Sequence, residues 1–295
     1  MRSDFCIFIL THGRPQNVYT WDTLKNCGNE YPVFLIVDDE DKTKEEYEKM
    51  YPGRVIVFSK LDEASRLDTP DLSNDRRTIV YARNACFSIA KKLGFRFFLE
   101  LDDDYLNFDF RFAEDGHLCK KKISDFNEVC DAFIDFLIES KVKTVCFAQS
   151  GDFIGGLEAK SGGAWRKKVL RKAMNSFFCD TNNDFRFLGR INEDVNTYTS
   201  ESIKGNIFFT ITDVALNQKP TQKNAGGMTE IYLDNGTFLK SFYSVVFSPS
   251  CVVVEPMSNG GGNTYHRIHH RVDWGACAPM ILNECYKKRS EMNAK

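Results

Sequence analysis

The first half of the chain alternates short apolar runs with amphipathic stretches. Phe5 to Leu10 is an unbroken apolar run that stops at Thr11-His12-Gly13-Arg14-Pro15. Val33 to Val37 is a second run, stopped by Asp38-Asp39-Glu40-Asp41, and Val55 to Phe58 is a third. Phe95 to Leu101 is almost continuously apolar and ends in Asp102-Asp103-Asp104, and Val142 to Ala148 is a further run. Such short runs between polar breaks read as strands covered on both faces. The intervening segments carry helical spacing. Asn17 reads as the cap of a helix ending at Gly28, and a charged helix is expected near Lys44 to Tyr51. Within Arg76 to Leu93, residues Ile79, Ala82, Cys86, Ile89 and Leu93 recur at three- and four-residue steps, and Gly94 closes the segment. Arg83 falls at the edge of that stripe. Ser124 reads as the cap of a helix whose Phe126, Val129, Cys130, Phe133 and Leu137 share one face. Ser59 to Asp75 reads as a polar loop.

Strands separated by helices predict an α/β fold with a mainly parallel central sheet flanked by helices and joined by right-handed crossovers. Ligands of such sheets bind beyond the carboxyl ends of the strands. Thr11 to Arg14, Asp38 with Asp39, and Asp102 to Asp104 each follow a strand, so three polar clusters are expected on one edge. The second half is less regular. Gly155-Gly156, Gly162-Gly163, Gly226-Gly227 and Gly260-Gly261-Gly262 read as loops around a pocket. No sharp linker and no internal repeat divides the chain, so residues 1–295 are expected to form one domain.

Composition narrows the function. The 295 residues include 39 Lys plus Arg and 41 Asp plus Glu, a net charge of -2, which excludes a globally basic nucleic-acid binder but not a local basic patch. The 25 Phe point to a Phe-rich core. The 10 Cys are scattered without a C-x-x-C pair, which argues against structural zinc and disulfides and for reduced thiols in a cytosol. No run approaches the roughly 18 apolar residues of a membrane span, and MRSDFCIFIL lacks a signal-peptide pattern, so no membrane association is expected. Walker, Rossmann, H-E-x-x-H and G-x-S-x-G patterns are absent.

The chemistry-bearing clusters follow from charge. Three adjacent carboxylates at the end of a buried strand repel one another, and Mg²⁺ or Mn²⁺ with a bound diphosphate relieves that repulsion. A solvated loop is the bland alternative. Arg83 is equally read as a structural ion-pair partner of an aspartate or as a cation turned toward phosphate or toward Asp102. Glu193 and Asp194 sit at a helix start, where the helix dipole stabilises acids, and either could serve as a general base. His266, His269 and His270 follow the Gly260–Gly262 run, offering imidazole ligands on a closing loop. Arg166, Lys167, Lys168, Arg171 and Lys172 form the densest basic stretch. They suit either a solvated helix face or a phosphate backbone, with Trp165, Phe177 and Phe178 nearby to stack on a base.

Taken together these residues resemble a GT-A glycosyltransferase. The Thr11-His12-Gly13-Arg14-Pro15 turn, Asp38-Asp39, Ala82-Arg83-Asn84, the D-x-D of Asp102-Asp103-Asp104 and the acidic pair of Asn192-Glu193-Asp194 carry the resemblance. More narrowly, Ile191 to Asn196, Lys240-Ser241-Phe242-Tyr243-Ser244 and Arg267 to Trp274 make the chain similar to the TET-associated glycosyltransferases of phages. The resemblance implies a donor-nucleotide half over 1–150 and an acceptor half over 151–295 with a C-terminal metal-binding segment. It implies a nucleotide-sugar donor, a UDP-sugar, contacted by Thr11, His12, Arg14, Asp38, Asp39, Arg83, Asp102 and Asp103. Asp104, Asp102, His269 and His270 are implied as ligands of Mn²⁺ or Mg²⁺, and Asp194 with Glu193 as the catalytic acids. The implied acceptor is DNA containing a hydroxymethylated pyrimidine, 5-hydroxymethylcytosine or a related base, in the cytoplasm of a phage-infected bacterium. Transfer to protein or polysaccharide, sugar-phosphate nucleotidyl transfer, and DNA binding without catalysis are the alternatives. The last of these does not need the converging carboxylates.

Overall fold

The computed structural model describes residues 1–71, 73–115, 117–149, 172–219, 239–258, 266–277 and 283–286. Its strands are β1 (Phe5–Leu10), β2 (Val33–Asp38), β3 (Val55–Phe58), β4 (Phe97–Asp102), β5 (Tyr105–Glu114), β6 (His117–Lys122), β7 (Thr144–Gln149), β8 (Ser176–Asp180) and β9 (Phe208–Gln218). These form one sheet in the order β3-β2-β1-β4-β8-β7-β9-β5-β6. The pairs from β3 to β4 are parallel, as is β7 with β9; β8 and the β5–β6 hairpin add antiparallel pairs. The helices are α1 (Tyr19–Asn26), α2 (Lys44–Met50), α3 (Lys60–Ala64), α4 (Val80–Leu93), α5 (Phe126–Ser140) and α6 (Glu193–Ile203), with a further helical stretch over 239–247. A separate antiparallel pair joins β10 (Val252–Ser258) to β11 (His266–Val272). Among the described residues, no helix is long and apolar enough to cross a membrane.

Strand alternation divides the core into two layers. On β4, Phe97, Leu99 and Leu101 face a layer shared with Leu24, Phe126, Phe133 and Ile134, and Phe98 faces a second layer with Cys86, Phe87 and Ile89 of α4. The first layer is an aromatic ladder in which Phe133, Phe147 and Phe178 lie with ring centroids 4.8 to 5.3 Å apart. Each buried Phe contributes roughly 1.5–3 kcal/mol through removal from water. This is the Phe-rich core expected from composition. It also corrects one expectation: Phe177 and Phe178 belong to β8 and are 1% and 0% exposed, so neither can stack on a base.

The first strands fall where the apolar runs place them, and several boundaries differ for local reasons. Asn17 lies in a short 3-10 turn, and α1 begins after Val18 without a side-chain cap. The segment read as loop from Ser59 contains α3, whose cap is the Ser59 hydroxyl accepting from Asp62 N. Asp125, not Ser124, caps α5 by accepting from Glu128 N. α4 starts at Val80, Gly94 ends it with φ +82°, and Leu93 is exposed. The larger difference is in its buried face. Val80, Tyr81, Arg83, Asn84 and Phe87 are all buried, so α4 is covered nearly all round and Arg83 lies inside the protein rather than at a stripe's edge.

The register delivers the polar clusters to one edge. Leu10 pairs with Ile36 on one side and with Asp102 on the other. Thr11, Asp38 and Asp103 therefore leave the sheet at the same level.

Candidate active site

The turn after β1 is built on buried carboxylates. Thr11 Oγ1 donates to Asp103 Oδ2 at 2.6 Å, and Arg14 Nε donates to the same oxygen at 2.7 Å. Asp103 is itself fully buried. The Tyr47 hydroxyl from α2 accepts from Arg14 N and pairs with Thr11 Oγ1. Gly13, at φ +70°, turns its N–H onto Asp41 Oδ2 at 2.7 Å, a conformation that favours glycine. Asp103 thus fixes the β1 turn against the end of β4 and does not face the open side.

Asp38 is buried between two cations. His12 Nδ1 lies 2.6 Å from Asp38 Oδ2, and Lys60 Nζ lies 3.2 Å from Oδ1. The hydrogen bond to Asp38 raises the His12 pKa, with Asp41 adding to it; burial and Lys60 oppose the rise. The same pairing, against burial, lowers Asp38. Asp39 is exposed and accepts from Lys60 N. Protonated His12 therefore contributes stability that is complete below its unfolded pKa and is lost as pH rises through its raised folded value. Asp38 contributes above its unfolded pKa and loses it as pH falls through the lowered folded value. His12→Gln should destabilise the protein by less than about 1 kcal/mol, since the imidazole is half exposed. The loss should be largest between those two titrations and fade at alkaline pH, as read by urea unfolding at several pH values. A pH-independent difference would contradict the pairing.

At the centre lies Arg83, which is 2% exposed. Its Nη2 donates to Asp102 Oδ1 at 3.0 Å and its Nε to Glu193 Oε1 at 3.1 Å, while Nη1 stands 3.7 Å from Glu100 Oε2. The guanidinium rests on the Phe177 and Phe187 rings, 4.9 and 5.7 Å from their centroids. Burial opposes its charge, but Asp102, Glu193 and Glu100 together keep it protonated. Arg83 is thus paired with Asp102, a contact that both readings of its position allowed. Its guanidinium is buried.

Glu100 was not singled out by sequence pattern. It is fully buried on β4 between Phe8 of β1 and Phe177 of β8, and among the described residues neither carboxyl oxygen has a partner at hydrogen-bond distance. Burial pushes its pKa to about 8, with Arg83 and the neighbouring Cys86 pulling the other way. Asp104 lies at the open end of the same strand. Burial, then the charges of Asp102 and Asp103, push it up to about 7.

α6 brings the acceptor-side acids to this cluster. Asn192 caps the helix at φ +52°, a left-handed conformation that Asn tolerates. Its Nδ2 donates to Lys240 O at 2.7 Å and lies 3.5 Å from His270 Nδ1 on β11. Gly189 admits the helical stretch 239–247: a Cβ there would come within 2.6 Å of Phe247 and 2.8 Å of Tyr243. Glu193 turns inward to Arg83, whereas Asp194 accepts from Val195 N at 2.7 Å. Burial raises both carboxyls. His270 is pushed down to about 3 by burial and by the charges of His269, Lys240 and Lys172, so it is neutral. Lys172 and Lys240 both act on Asp194.

The family model described as TET-Associated Glycosyltransferase matches residues 5–227. The chain belongs to this family. Its α/β sheet, parallel from β3 to β4, has the architecture expected from the sequence. Solved structures overlap it at low similarity. Staphylococcus aureus TarS 1-349 aligns at TM-score 0.43 and 14% identity, covering 74% of this chain and 61% of that one. GalNAc-T7 with UDP, GalNAc and Mn²⁺ aligns at 0.42 and 12%, covering 78% and 47%. Mannosyl-3-phosphoglycerate synthase from Rubrobacter xylanophilus aligns at 0.44 and 11%, covering 91% and 86%. The chain thus spans less than two thirds of the first two. No curated protein matches the sequence.

In this family member, Thr11, His12, Arg14, Asp38, Asp102, Asp103 and Asp104 meet at the carboxyl edge, and Arg83 links them to Glu193. His269 and His270 stand together on β11, ring centroids 4.3 Å apart. Among the described residues, no three His, Cys, Asp or Glu side chains are gathered at metal-binding spacing, so these histidines do not share one shell with Asp102 and Asp104 here. Arg166, Lys167, Lys168 and Arg171, Trp165, and the four Gly pairs or runs of the second half lie outside the described residues. Lys60, Asp41 and Tyr47, which hold the β1 turn, had no signal beyond ordinary polarity.

Proposed function

We propose that this protein transfers a sugar from a UDP-sugar to the hydroxymethyl oxygen of a 5-hydroxymethylpyrimidine, 5-hydroxymethylcytosine foremost, in DNA. The observation that carries the reading is the connected polar core. Arg83 joins Asp102, at the donor edge of the sheet, to Glu193, which opens the helix bearing Asp194. A donor site without an acceptor would need no such connection.

Asp104 and Asp102 suit a divalent cation. Burial, then the charges of Asp102 and Asp103, lift Asp104 to about 7; a hard cation would relieve the repulsion among these acids, and carboxylate oxygens are its preferred ligands. Bound there, Mn²⁺ or Mg²⁺ would supply charge neutralisation for the departing diphosphate. His269 and His270 are candidates to complete the shell on donor binding, His270 as a neutral imidazole. The His12 turn, with Asp39 exposed beside it, would hold the nucleoside. In an inverting displacement the hydroxymethyl oxygen forms the new bond to the anomeric carbon as the bond to the diphosphate breaks. Asp194, its carboxyl raised by burial, would take the hydroxyl proton. Residues 1–150 would then serve the donor and 151–295 the acceptor. The basic stretch from Arg166 to Lys172 would track the DNA backbone; Lys172, its described member, already acts on Asp194 and His270.

The experiment is release of nucleoside diphosphate from a panel of UDP-sugars with Mn²⁺. Duplex DNA carrying 5-hydroxymethylcytosine should stimulate release, and unmodified DNA of the same sequence should not. Equal release with both would reject this acceptor.

A further inference from the structure

Glu100 has no evident reason to be an acid if only folding is considered. It sits in an apolar layer, its β-sheet neighbours are Phe8 and Phe177, and among the described residues its oxygens have no partner at hydrogen-bond distance. Arg83 does not need it for charge balance, since Asp102 and Glu193 already give one guanidinium two carboxylates at hydrogen-bond distance. A third buried acid adds burial cost, and its nearest recorded approach to the guanidinium is the 3.7 Å contact with Nη1. Removing a surplus buried acid in favour of an apolar side chain of similar size is often neutral or stabilising.

What Glu100 does supply is direction. The guanidinium is a planar fork with fixed angles between its N–H groups. Glu193 takes the Nε side, Asp102 takes Nη2, and Glu100 faces Nη1 from beneath at 3.7 Å. The Phe177 and Phe187 rings limit tilt. With three acids placed around the fork, its rotation about the side-chain axis is specified, and with it the position of the Asp102 oxygen that it holds. We propose that Glu100 is a positioning residue for glycosyl transfer, acting through Arg83 to hold Asp102 on the donor side and Glu193 on the acceptor side in register. The inference rests on the glycosyltransferase reading of this site. It is independent of which acceptor is used.

The test compares wild type with Glu100→Gln and Glu100→Leu, each alone and in an Arg83→Lys background. The readout is nucleoside diphosphate release from a UDP-sugar, with and without acceptor DNA, together with thermal unfolding. Both single variants should melt at or above the wild-type temperature. Their kcat should fall by about tenfold or more, with KM for the donor nearly unchanged, as small misplacements of a reacting constellation do. In the Arg83→Lys background, where the fork is gone, Glu100→Gln should add almost nothing. The proposal is overturned if kcat per folded molecule is unchanged, or if the loss follows a lowered melting temperature. It is also overturned if the Glu100 and Arg83 effects multiply independently. Failure of hydroxymethylated DNA to stimulate release would sink the acceptor reading alone, because the comparison also runs on release into water.

Discussion

Asp104→Asn is expected to reduce sugar transfer on the order of 10³-fold. A cation stabilising the leaving diphosphate is worth several kcal/mol in the transition state, and each 1.36 kcal/mol is tenfold in rate. The fold should not suffer. Asp104 is partly buried and repelled by Asp102 and Asp103, and among the described residues its side chain has no ion pair within 4 Å, so an amide relieves repulsion. The variant should therefore melt at the wild-type temperature or slightly above while losing Mn²⁺-dependent activity and Mn²⁺ binding by calorimetry. A variant with wild-type turnover, or a wild-type enzyme fully active in excess chelator, would overturn the metal assignment.

Arg83→Leu is expected to have the largest effect on stability. It leaves Glu100, Asp102 and Glu193 without the charge that holds them together. Removing one partner of a buried ion pair typically costs about 3–5 kcal/mol, because the remaining charges stay buried and unpaired. Urea unfolding should show a midpoint lowered accordingly, and the little protein that folds should be inactive. An unchanged midpoint would mean that the three acids find other partners and that Arg83 is not the keystone of the site.

The contrast between these two residues shows what the sequence makes legible. Asp104 stands at the end of an apolar run, and a strand that stops in three acids announces an edge site. Arg83 gives a weaker signal. The sequence shows a single stripe of Ile79, Ala82, Cys86, Ile89 and Leu93, yet the first turns of α4 are buried nearly all round and Leu93 is exposed, so periodicity cannot show which way Arg83 points. Its burial follows from three acids that converge on it from β4 and from α6, 110 positions later in the chain. Glu100 did carry a local signal, an acid inside Phe97-Phe98-Leu99-Glu100-Leu101, which only a partner from another element could explain. The β1 turn behaves similarly: Gly13 was visible as a turn residue, but Asp41 and Tyr47 as its anchors depend on tertiary placement. Boundaries slipped where short-range capping competes, as at Ser124 and Asp125. The basic stretch ending at Lys172 remains a matter of charge pattern, with the proximity of Lys172 to Asp194 as its structural support.

The central claim is transfer of a sugar to a hydroxymethyl group on DNA, and nucleoside mass reads it most directly. Duplex DNA containing 5-hydroxymethylcytosine would be incubated with the enzyme, Mn²⁺ and each UDP-sugar, digested to nucleosides and analysed by mass spectrometry. With one donor, the 5-hydroxymethyl-2′-deoxycytidine peak should decline and a new nucleoside heavier by one sugar residue should replace it, in wild type but not in Asp104→Asn. Donor turnover with every nucleoside mass unchanged would contradict the account and direct the search to a protein or polysaccharide acceptor.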